Sequence, residues 1–200
     1  MGQHIRRLRL GCIHNVRDLG GYGTEHGGIT RWNTIYRAGN LSQADAADWS
    51  ILQEAGIKTI LDLRSSSEVS SQPDQAPEDI QWFHMPLQTE QIDVDNLSES
   101  AKQAFEKSLK EGYLVMAGQN ATMLAAALKK LTDCLNQGAV LFHCSAGKDR
   151  TGVLASVILY LCGVDPEDIV ADYQVSYTYN QKGLNQLVKH MPGYEQISLF

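Results

Sequence analysis

The sequence predicts an α/β fold in which a central, mostly parallel sheet is flanked by helices. Short runs of apolar and β-branched residues alternate along the chain with longer segments whose apolar residues recur at helical spacing. The chain of 200 residues is 43% hydrophobic and 20% charged, which is ordinary for a globular protein. No repeat or linker-like stretch divides it, so residues 1–200 are expected to form a single domain.

The first predicted helix lies between Ser42 and Gly56. Ser42 and Asp45 resemble a capping box, which starts a helix, and Gly56 suits the turn that ends one. Apolar residues recur at helical spacing between these signals, namely Trp49, Leu52 and Ala55.

A strand is predicted next over residues 57–63, because this segment is apolar and rich in residues that favour strands. Residues 65–78 are rich in Ser, Pro and Gln and are interpreted as a loop, and residues 80–85 form a neighbouring strand. Ligands of open α/β sheets bind beyond the carboxyl ends of strands. Asp62 stands at such an end, so we expect it near the binding crevice.

Helices are predicted over residues 97–117 and 120–135. The second has an apolar face that we interpret as core packing, made of Met123, Leu124, Ala127, Leu128, Leu131 and Leu135. Farther along the chain, Asp165 and Pro166 suit the N-cap and the first position of a helix that covers residues 169–173.

The most informative segment runs from residue 139 to residue 162. Residues 139–142 are apolar and fit a buried strand, and residues 153–162 are apolar with the length of a helix. The loop between them contains Cys144 and, after five intervening residues, Arg150. A helix start leaves backbone N–H groups unpaired and carries positive potential, so the loop suits an anion. We therefore predict a phosphate-binding loop with a cysteine at its mouth.

The residue types of this loop indicate nucleophilic chemistry. The positive field favours the thiolate of Cys144 over its thiol, which makes Cys144 a nucleophile at neutral pH. The planar fork of Arg150 suits two phosphate oxygens, and Lys148 adds a second charge. Thr151 is a candidate donor to the departing sulfur. The predicted substrate-binding residues are Ser145, Ala146, Gly147, Lys148 and Thr151.

The run from His143 to Thr151 resembles the signature of the cysteine-dependent protein tyrosine phosphatase superfamily, which is His-Cys, five residues, Arg and Ser or Thr. Lys148 and Asp149 resemble a narrower group, the atypical bacterial tyrosine and phosphoinositide phosphatases. Four further segments match that group, at residues 15–21, 36–42, 61–65 and 169–173. The resemblance implies a tyrosine or dual-specificity phosphatase-like fold and a phosphocysteine mechanism that needs no metal or cofactor.

The resemblance leaves the proton donor for the leaving oxygen open between two carboxyl groups. Asp62 matches the strand-end aspartate to which the family assigns this role, whereas Asp149 lies inside the loop and is typical of the narrower group. The alternative for Asp62 is a salt bridge that shapes the site, to Arg64, Arg37 or Arg150. The alternative for Asp149 is a bond that orients the loop.

Other residues are expected to support the loop. His143 is expected to hydrogen-bond backbone and orient the loop, since metal ligation by two adjacent strand residues is disfavoured by their opposite directions. A buried polar shell is expected from Arg17, Asp18, Arg37 and Arg64. Relatives continue past residues 169–173 with helices that help build the substrate surface, whereas this chain ends at residue 200. Either the chain is trimmed or it lacks this cover, so we expect a domain that is short at its C-terminus compared with the family.

The implied substrates are phosphotyrosine and also phosphoserine, phosphothreonine or phosphoinositides. Lys148 suggests a lipid headgroup, because its charge suits a second phosphate on an inositol ring, although it also balances Asp149. Two other functions stay open, a phosphate-binding pseudophosphatase and a thiol redox or sulfur-transfer protein. The loop lacks the spacing of a nucleotide P-loop.

Charge and cysteine content narrow the setting of the protein. The formal net charge of −6 argues against nucleic acid as a partner, because nucleic-acid binding needs an extended basic face. Four cysteines without paired spacing indicate reduced thiols and a cytoplasmic location, and Cys12, Cys134 and Cys162 are interpreted as inert buried residues. No apolar stretch approaches the length of a signal peptide or membrane span, so no integral membrane association is expected; export without such a signal stays open.

Overall fold

A computed structural model of the chain describes residues 4–87, 117–118 and 120–189. The strands within these residues are β1 (Arg17–Asp18), β2 (Gly23–Thr24), β3 (Gly28–Ile29), β4 (Ile35–Ala38), β5 (Ile57–Asp62), β6 (Gln81–His84) and β7 (Ala139–His143). The helices within them are α1 (Ala46–Glu54), α2 (Ser66–Ser71), α3 (Ala121–Cys134), α4 (Asp149–Leu161) and α5 (Pro166–Lys189).

Five strands form one sheet in the order β1-β4-β7-β5-β6. β1 pairs antiparallel with β4, and the other three pairings are parallel. The predicted mostly parallel sheet is therefore confirmed, as are the strands predicted at residues 57–63 and 80–85. β2 and β3 form a separate two-stranded sheet.

β7 is the central strand, and all five of its residues are buried. Successive side chains of a strand point to opposite faces of the sheet. Phe142 accordingly joins a core cluster with residues of α3 and α4, whereas Leu141 joins a second cluster with residues of α1. Burial of each such side chain stabilises the fold by roughly 1.5–3 kcal/mol. Packing on both faces of the sheet therefore fixes the strand, and with it the position of Cys144, which follows the strand directly.

The capping box predicted at Ser42 is wrong, because α1 begins one turn later. Asp45 is its N-cap, and the Oδ1 atom of Asp45 accepts a hydrogen bond from the N–H of Asp48 at 2.8 Å. Ser42 belongs to the preceding turn, where its N–H donates to the Oδ1 atom of Asn40 at 3.0 Å. Both serine and aspartate are good N-caps, so residue type alone did not decide between them. The predicted end of the helix is confirmed, since Gly56 follows it with a φ of 79°.

The interpretation of residues 65–78 as one loop is also wrong, since residues Ser66–Ser71 form α2. Ser65 and Glu68 make a reciprocal capping box. The N–H of Glu68 donates to the Oγ atom of Ser65 at 3.3 Å, and the N–H of Ser65 donates to the Oε2 atom of Glu68 at 2.8 Å. Serine has weak helix propensity, which concealed the helix, but its hydroxyl makes it a good cap.

The helices predicted around the central strand are confirmed with changed bounds. The helix predicted over residues 120–135 is α3, which covers Ala121–Cys134. The helix predicted over residues 153–162 is α4, which begins four residues earlier, at Asp149. At the start of α5, the N–H of Glu167 donates to the Oδ1 atom of Asp165 at 2.8 Å, so the predicted cap is formed. α5 extends far beyond the predicted residues 169–173. The helix predicted over residues 97–117 lies outside the described residues, apart from residue 117.

The three cysteines interpreted as buried do not share one environment. Cys134 is buried in the core beside α4, but Cys12 and Cys162 are exposed. The interpretation of Cys12 and Cys162 as buried is therefore wrong, because Cys12 lies in a surface segment before β1 and Cys162 follows the last turn of α4. All four cysteines are free thiols. Across the part of the chain that is described, no helix has the length and apolarity needed to cross a membrane.

Candidate active site

The loop of residues 144–148 lies where parallel strands end. In the register of the sheet, His143 at the end of β7 stands opposite Ala38 of β4 and Asp62 of β5. Cys144 follows directly and is only 3% exposed. Since α4 begins directly after the loop, the loop connects the central strand to a helix N-terminus, as the sequence predicts.

Gly147 lets this loop fold closely over β4. Its φ of 63° lies in the left-handed region. A Cβ atom at this position would lie 2.3 Å from the carbonyl oxygen of Ala38. The close approach of the two backbones therefore requires glycine, and it fixes the curvature of the loop.

Side chains from other parts of the chain hold the carbonyl groups of the loop. The amide of Asn15 and the guanidinium of Arg37 each donate to the carbonyl of Gly147 at 2.8 Å. The amide of Asn180 donates to the carbonyl of Ala146 at 3.0 Å. The C=O and N–H groups of a planar peptide unit point in opposite directions. Binding the carbonyls on one side therefore leaves the N–H groups of the loop for an anion on the other.

Arg150 is paired with Glu68 of α2. Its Nη1 atom lies 2.6 Å from the Oε2 atom of Glu68, and its Nη2 atom lies 2.8 Å from Oε1. Ser145 donates its hydroxyl to the same carboxylate and accepts from Arg150 at 3.1 Å. These hydrogen bonds, mainly those from Arg150, hold the pKa of Glu68 far below its usual range. Sequence reasoning missed Glu68; the available signal was the Ser65-x-x-Glu68 capping box.

Asp62 is fully buried and bound to Arg64. The Nη2 atom of Arg64 lies 2.6 Å from the Oδ2 atom of Asp62, and its Nε atom lies 3.0 Å from Oδ1. Burial alone raises the pKa of the Asp62 carboxyl, but the hydrogen bonds from Arg64 lower it overall. His143 places its Nε2 atom 3.0 Å from the Oδ2 atom of Asp74 and its Nδ1 atom 3.2 Å from the carbonyl oxygen of Cys144.

Two groups of metal-ligand types occur in the described residues, and other partners already bind them. The first group is Asp62, Asp74 and His143. The Nη2 atom of Arg64 lies 2.6 and 2.9 Å from the two carboxylates, so the guanidinium cation of Arg64 already pairs with them. The other group is Cys12, Asp45 and Asp48. Its carboxylates accept backbone N–H groups, as expected for structural caps. Neither arrangement requires an ion.

Asp172 of α5 connects two buried arginines to the loop. Its Oδ1 atom lies 2.8 Å from Nε of Arg17, and its Oδ2 atom lies 2.6 Å from Nη1 of Arg37. Burial raises the pKa of Asp172, but the two cations lower it overall. Burial, together with the charge of Arg17, lowers the pKa of Arg37 to about 10. Arg37 contacts the carbonyl of Gly147 directly, so α5 reaches the loop through it.

Asp18 has a different position from the other residues of the expected polar shell. Its carboxylate accepts the N–H groups of Gly20 at 2.8 Å and Asn33 at 2.7 Å. Burial raises the pKa of Asp18. It therefore fixes the turn after β1, whereas Arg37 contacts the loop and Arg17 contacts Asp172, which binds Arg37.

The charged rim of the loop lies against α5. Lys148 places its ammonium 4.6 Å from the ring centroid of Tyr177 and 3.8 Å from the Oδ1 atom of Asp149. Tyr173 donates its hydroxyl to Asp149 at 3.1 Å. Within the described residues the hydroxyl of Thr151 is buried without a hydrogen-bond partner, so its predicted contact to the Cys144 sulfur is not formed. Thr151 lies in the first turn of α4, where the helix fixes the direction of its side chain.

The sequence matches the profile described as the tyrosine phosphatase family over residues 8–197. A relative from Cupriavidus necator carries the name tyrosine-protein phosphatase. It is 31% identical over 185 residues, covering 90% of this chain and 68% of that protein. A tyrosine-protein phosphatase of Nostoc commune is 33% identical over 150 residues, covering 74% of this chain and 49% of that protein. The triple specificity protein phosphatase PtpB of Mycobacterium tuberculosis is 31% identical over 183 residues, covering 80% of this chain and 65% of that protein.

Solved structures give more distant matches. TpbA of P. aeruginosa in complex with pTyr is 16% identical with a TM-score of 0.44, over 73% of this chain and 70% of that chain. The core catalytic domain of the PP-IP phosphatase SIW14 of S. cerevisiae is 18% identical with a TM-score of 0.46, over 90% of this chain and 94% of that chain.

Proposed function

Because the chain belongs to the tyrosine phosphatase family, we propose that it hydrolyses phosphate monoesters through a phosphocysteine intermediate on Cys144. One observation carries this proposal. Cys144 directly follows the central strand, Arg150 lies in the first turn of the following helix, and the loop between them has its carbonyl groups bound on the outside. The N–H groups of the loop and the guanidinium of Arg150 suit a trigonal phosphoryl group. In the transition state the oxygen atoms of this group carry more negative charge toward these donors.

In the first step, the phosphate of the substrate binds to the N–H groups of the loop and to Arg150. The sulfur of Cys144 attacks phosphorus, the bond to the ester oxygen breaks, and the leaving oxygen takes a proton from a carboxylic acid. In the second step, water attacks the phosphocysteine, the same carboxylate takes a proton from water, and inorganic phosphate and the thiolate leave. The proposed reaction uses no metal or cofactor.

We assign the proton donor to Asp149 and keep Asp62 as the alternative that the family resemblance favours. Asp149 lies at the rim of the loop with 45% of its side chain exposed. Asp62 is fully buried, and Arg64 stabilises its charged form. A carboxyl group that is stabilised as an anion and shielded from the leaving group is a poor proton donor.

The remaining site residues are proposed to position the loop. Arg37 holds the carbonyl of Gly147, and Arg17 holds the carboxylate that orients Arg37. Arg64 contacts Asp62 at the end of β5, and His143, the last residue of β7, contacts the carbonyl oxygen of Cys144. The resulting polar shell supports the residues that bind phosphate, which are Ser145, Ala146, Gly147, Lys148 and Thr151.

The proposed substrates are phosphotyrosine and, in addition, phosphoserine, phosphothreonine or phosphoinositides. PtpB, which is 31% identical to this chain over 183 residues, is named as a triple specificity phosphatase, and this supports a broad substrate range. Lys148 at the rim supplies the charge that a second phosphate group requires. The four free thiols support the cytoplasm as the location, because a thiolate mechanism needs reducing conditions.

Hydrolysis of a phosphotyrosine peptide tests the proposal. The full chain is expected to release phosphate in the presence of a chelator, and Cys144→Ser is expected to lose turnover by at least about 10³-fold while it still binds phosphate. Cys162→Ser is the matched control, because this exposed thiol lies at the other end of α4. Phosphate binding without turnover in the unmodified chain would instead indicate a pseudophosphatase, and sulfur transfer that phosphate analogues do not inhibit would indicate the thiol-transfer alternative.

A further inference from the structure

One face of α5 lies along the rim of the phosphate-binding loop. Three residues of this helix contact the loop or the first turn of α4, at the spacing i, i+4 and i+7 that brings side chains onto one helix face. Tyr173 donates to Asp149 at 3.1 Å, Tyr177 lies against Lys148, and Asn180 donates to the carbonyl of Ala146 at 3.0 Å. α5 therefore forms one side of the site.

The two tyrosines of this face differ in how they are packed. A Cβ atom at Gly152 would lie 2.8 Å from the ring of Tyr173, so that ring is packed closely on α4. Tyr177 is 64% exposed. The Nζ atom of Lys148 lies 4.6 Å from the centroid of the Tyr177 ring and 3.5 Å from its hydroxyl oxygen. An exposed ring that a charged residue of the loop holds in place is available to a substrate.

We infer that Tyr177 is a specificity-determining residue whose ring packs against the organic group of an aryl phosphate. The inference rests on the proposed function, because it requires the phosphate to sit in the loop of residues 144–148. From that loop the organic group must extend outward past the rim. Lys148 belongs to this loop, and its ammonium lies 4.6 Å from the centroid of the Tyr177 ring, so the ring stands at the rim past which the organic group extends. An aryl group covers apolar area there and gains a ring-to-ring contact, whereas a methyl group gains little.

Two matched ligands test the inference, namely phenyl phosphate and methyl phosphate. Their affinities are measured by calorimetry on the full chain carrying Cys144→Ser, so that neither ligand is hydrolysed. Tyr177→Ala is expected to weaken binding of phenyl phosphate by about two- to tenfold and to change binding of methyl phosphate by less than about twofold. Tyr177→Phe keeps the ring and is expected to bind both ligands as the parent does. Tyr160→Ala removes a tyrosine that is 70% exposed and is the control, since it lies roughly 18 Å along α4 from the loop.

A second comparison separates direct contact from an effect through Lys148. Under the inference, Tyr177→Ala keeps its selective effect on phenyl phosphate when Lys148→Met is also present. Equal weakening of both ligands, no weakening of either, or loss of the effect in the Lys148→Met background would overturn the inference. If the parent binds neither ligand, the proposed phosphate site itself is wrong, and this outcome differs from all of the former.

Discussion

The orientation of Arg150 is set mainly by Glu68. Glu68 binds both terminal nitrogens of the guanidinium, and Ser145 contacts both partners. A bidentate carboxylate fixes the plane of an arginine more firmly than a single acceptor does. The charge that we expect to stabilise the phosphoryl transition state is therefore oriented before substrate arrives.

Replacement of Glu68 by Gln is expected to lower kcat/KM by about tenfold on aryl and alkyl substrates alike, which corresponds to about 1.4 kcal/mol. The amide keeps the shape of the side chain but offers one acceptor atom instead of two, so Arg150 becomes less well oriented. Steady-state kinetics on both substrates measure the effect, and Glu78→Gln, at an exposed site, is the matched control. An unchanged kcat/KM would mean that Arg150 needs no fixed partner.

The proton donor is identified by comparing leaving groups. An electron-poor aryl phosphate needs little protonation of its leaving oxygen, whereas an alkyl phosphate leaves as a strongly basic alkoxide. Asp149→Asn is expected to lower kcat/KM on the alkyl substrate by about 10²- to 10⁴-fold and on the aryl substrate by much less. Asp62→Asn is expected to lower both alike, because it disturbs the pair with Arg64. The reverse pattern would assign the proton to Asp62.

At the scale of elements, α5 has a structural role as well as a place beside the site. Asp172 pairs with two buried arginines that belong to β1 and β4, so the helix is fixed to the sheet by charge as well as by packing. A variant that removes this charge leaves two cations buried without compensation.

Asp172→Asn is therefore expected to lower the free energy of unfolding by about 3–5 kcal/mol, measured by urea denaturation followed by circular dichroism. Asp168→Asn, at an exposed position of the same helix, is expected to change it by less than about 0.5 kcal/mol. Similar stability in both variants would show that water reaches the two arginines and compensates their charge.

The elements that sequence predicts well are those with the strongest patterns. β5, β7 and α4 were predicted because long apolar segments have one favourable environment, the core. α2 was not, because its six residues have no apolar face and its cap is its clearest signal. Glu68 could not be identified from local pattern either, because its role depends on a contact with Arg150, which lies 82 positions later in the sequence. Asp172 was visible only as part of the matched segment at residues 169–173.

For the whole molecule, the charged site links stability to pH. Partners lower the pKa values of Asp62, Glu68 and Asp172 in the folded chain, whereas burial raises that of Asp18. A lowered folded-state pKa gives stability that is present above the unfolded value and is lost as pH falls through the folded value. Within the described residues, four carboxyl groups have a lowered pKa, Asp79 being the fourth, and they outnumber Asp18, which acts in the opposite direction.

The free energy of unfolding is thus expected to fall as pH decreases below about 4.5, where the unfolded carboxyl groups begin to bind protons. Urea denaturation at a series of pH values measures this slope. Glu68→Gln removes one contributing group and is expected to make the slope shallower, with Glu78→Gln again as the control. A steeper slope in Glu68→Gln would contradict the assigned direction of the Glu68 shift.

The unequal covering of the cysteines has a consequence for chemical labelling. Cys12 and Cys162 are exposed, whereas Cys144 is 3% exposed and lies under the rim of its loop. The two exposed thiols are accessible to a maleimide, whereas thiolate character favours reaction at Cys144, so labels are expected by mass spectrometry at Cys12 and Cys162 as well as at Cys144. A count of labelled thiols therefore overstates the number of inactivated sites, unless Cys12 and Cys162 are first replaced by serine.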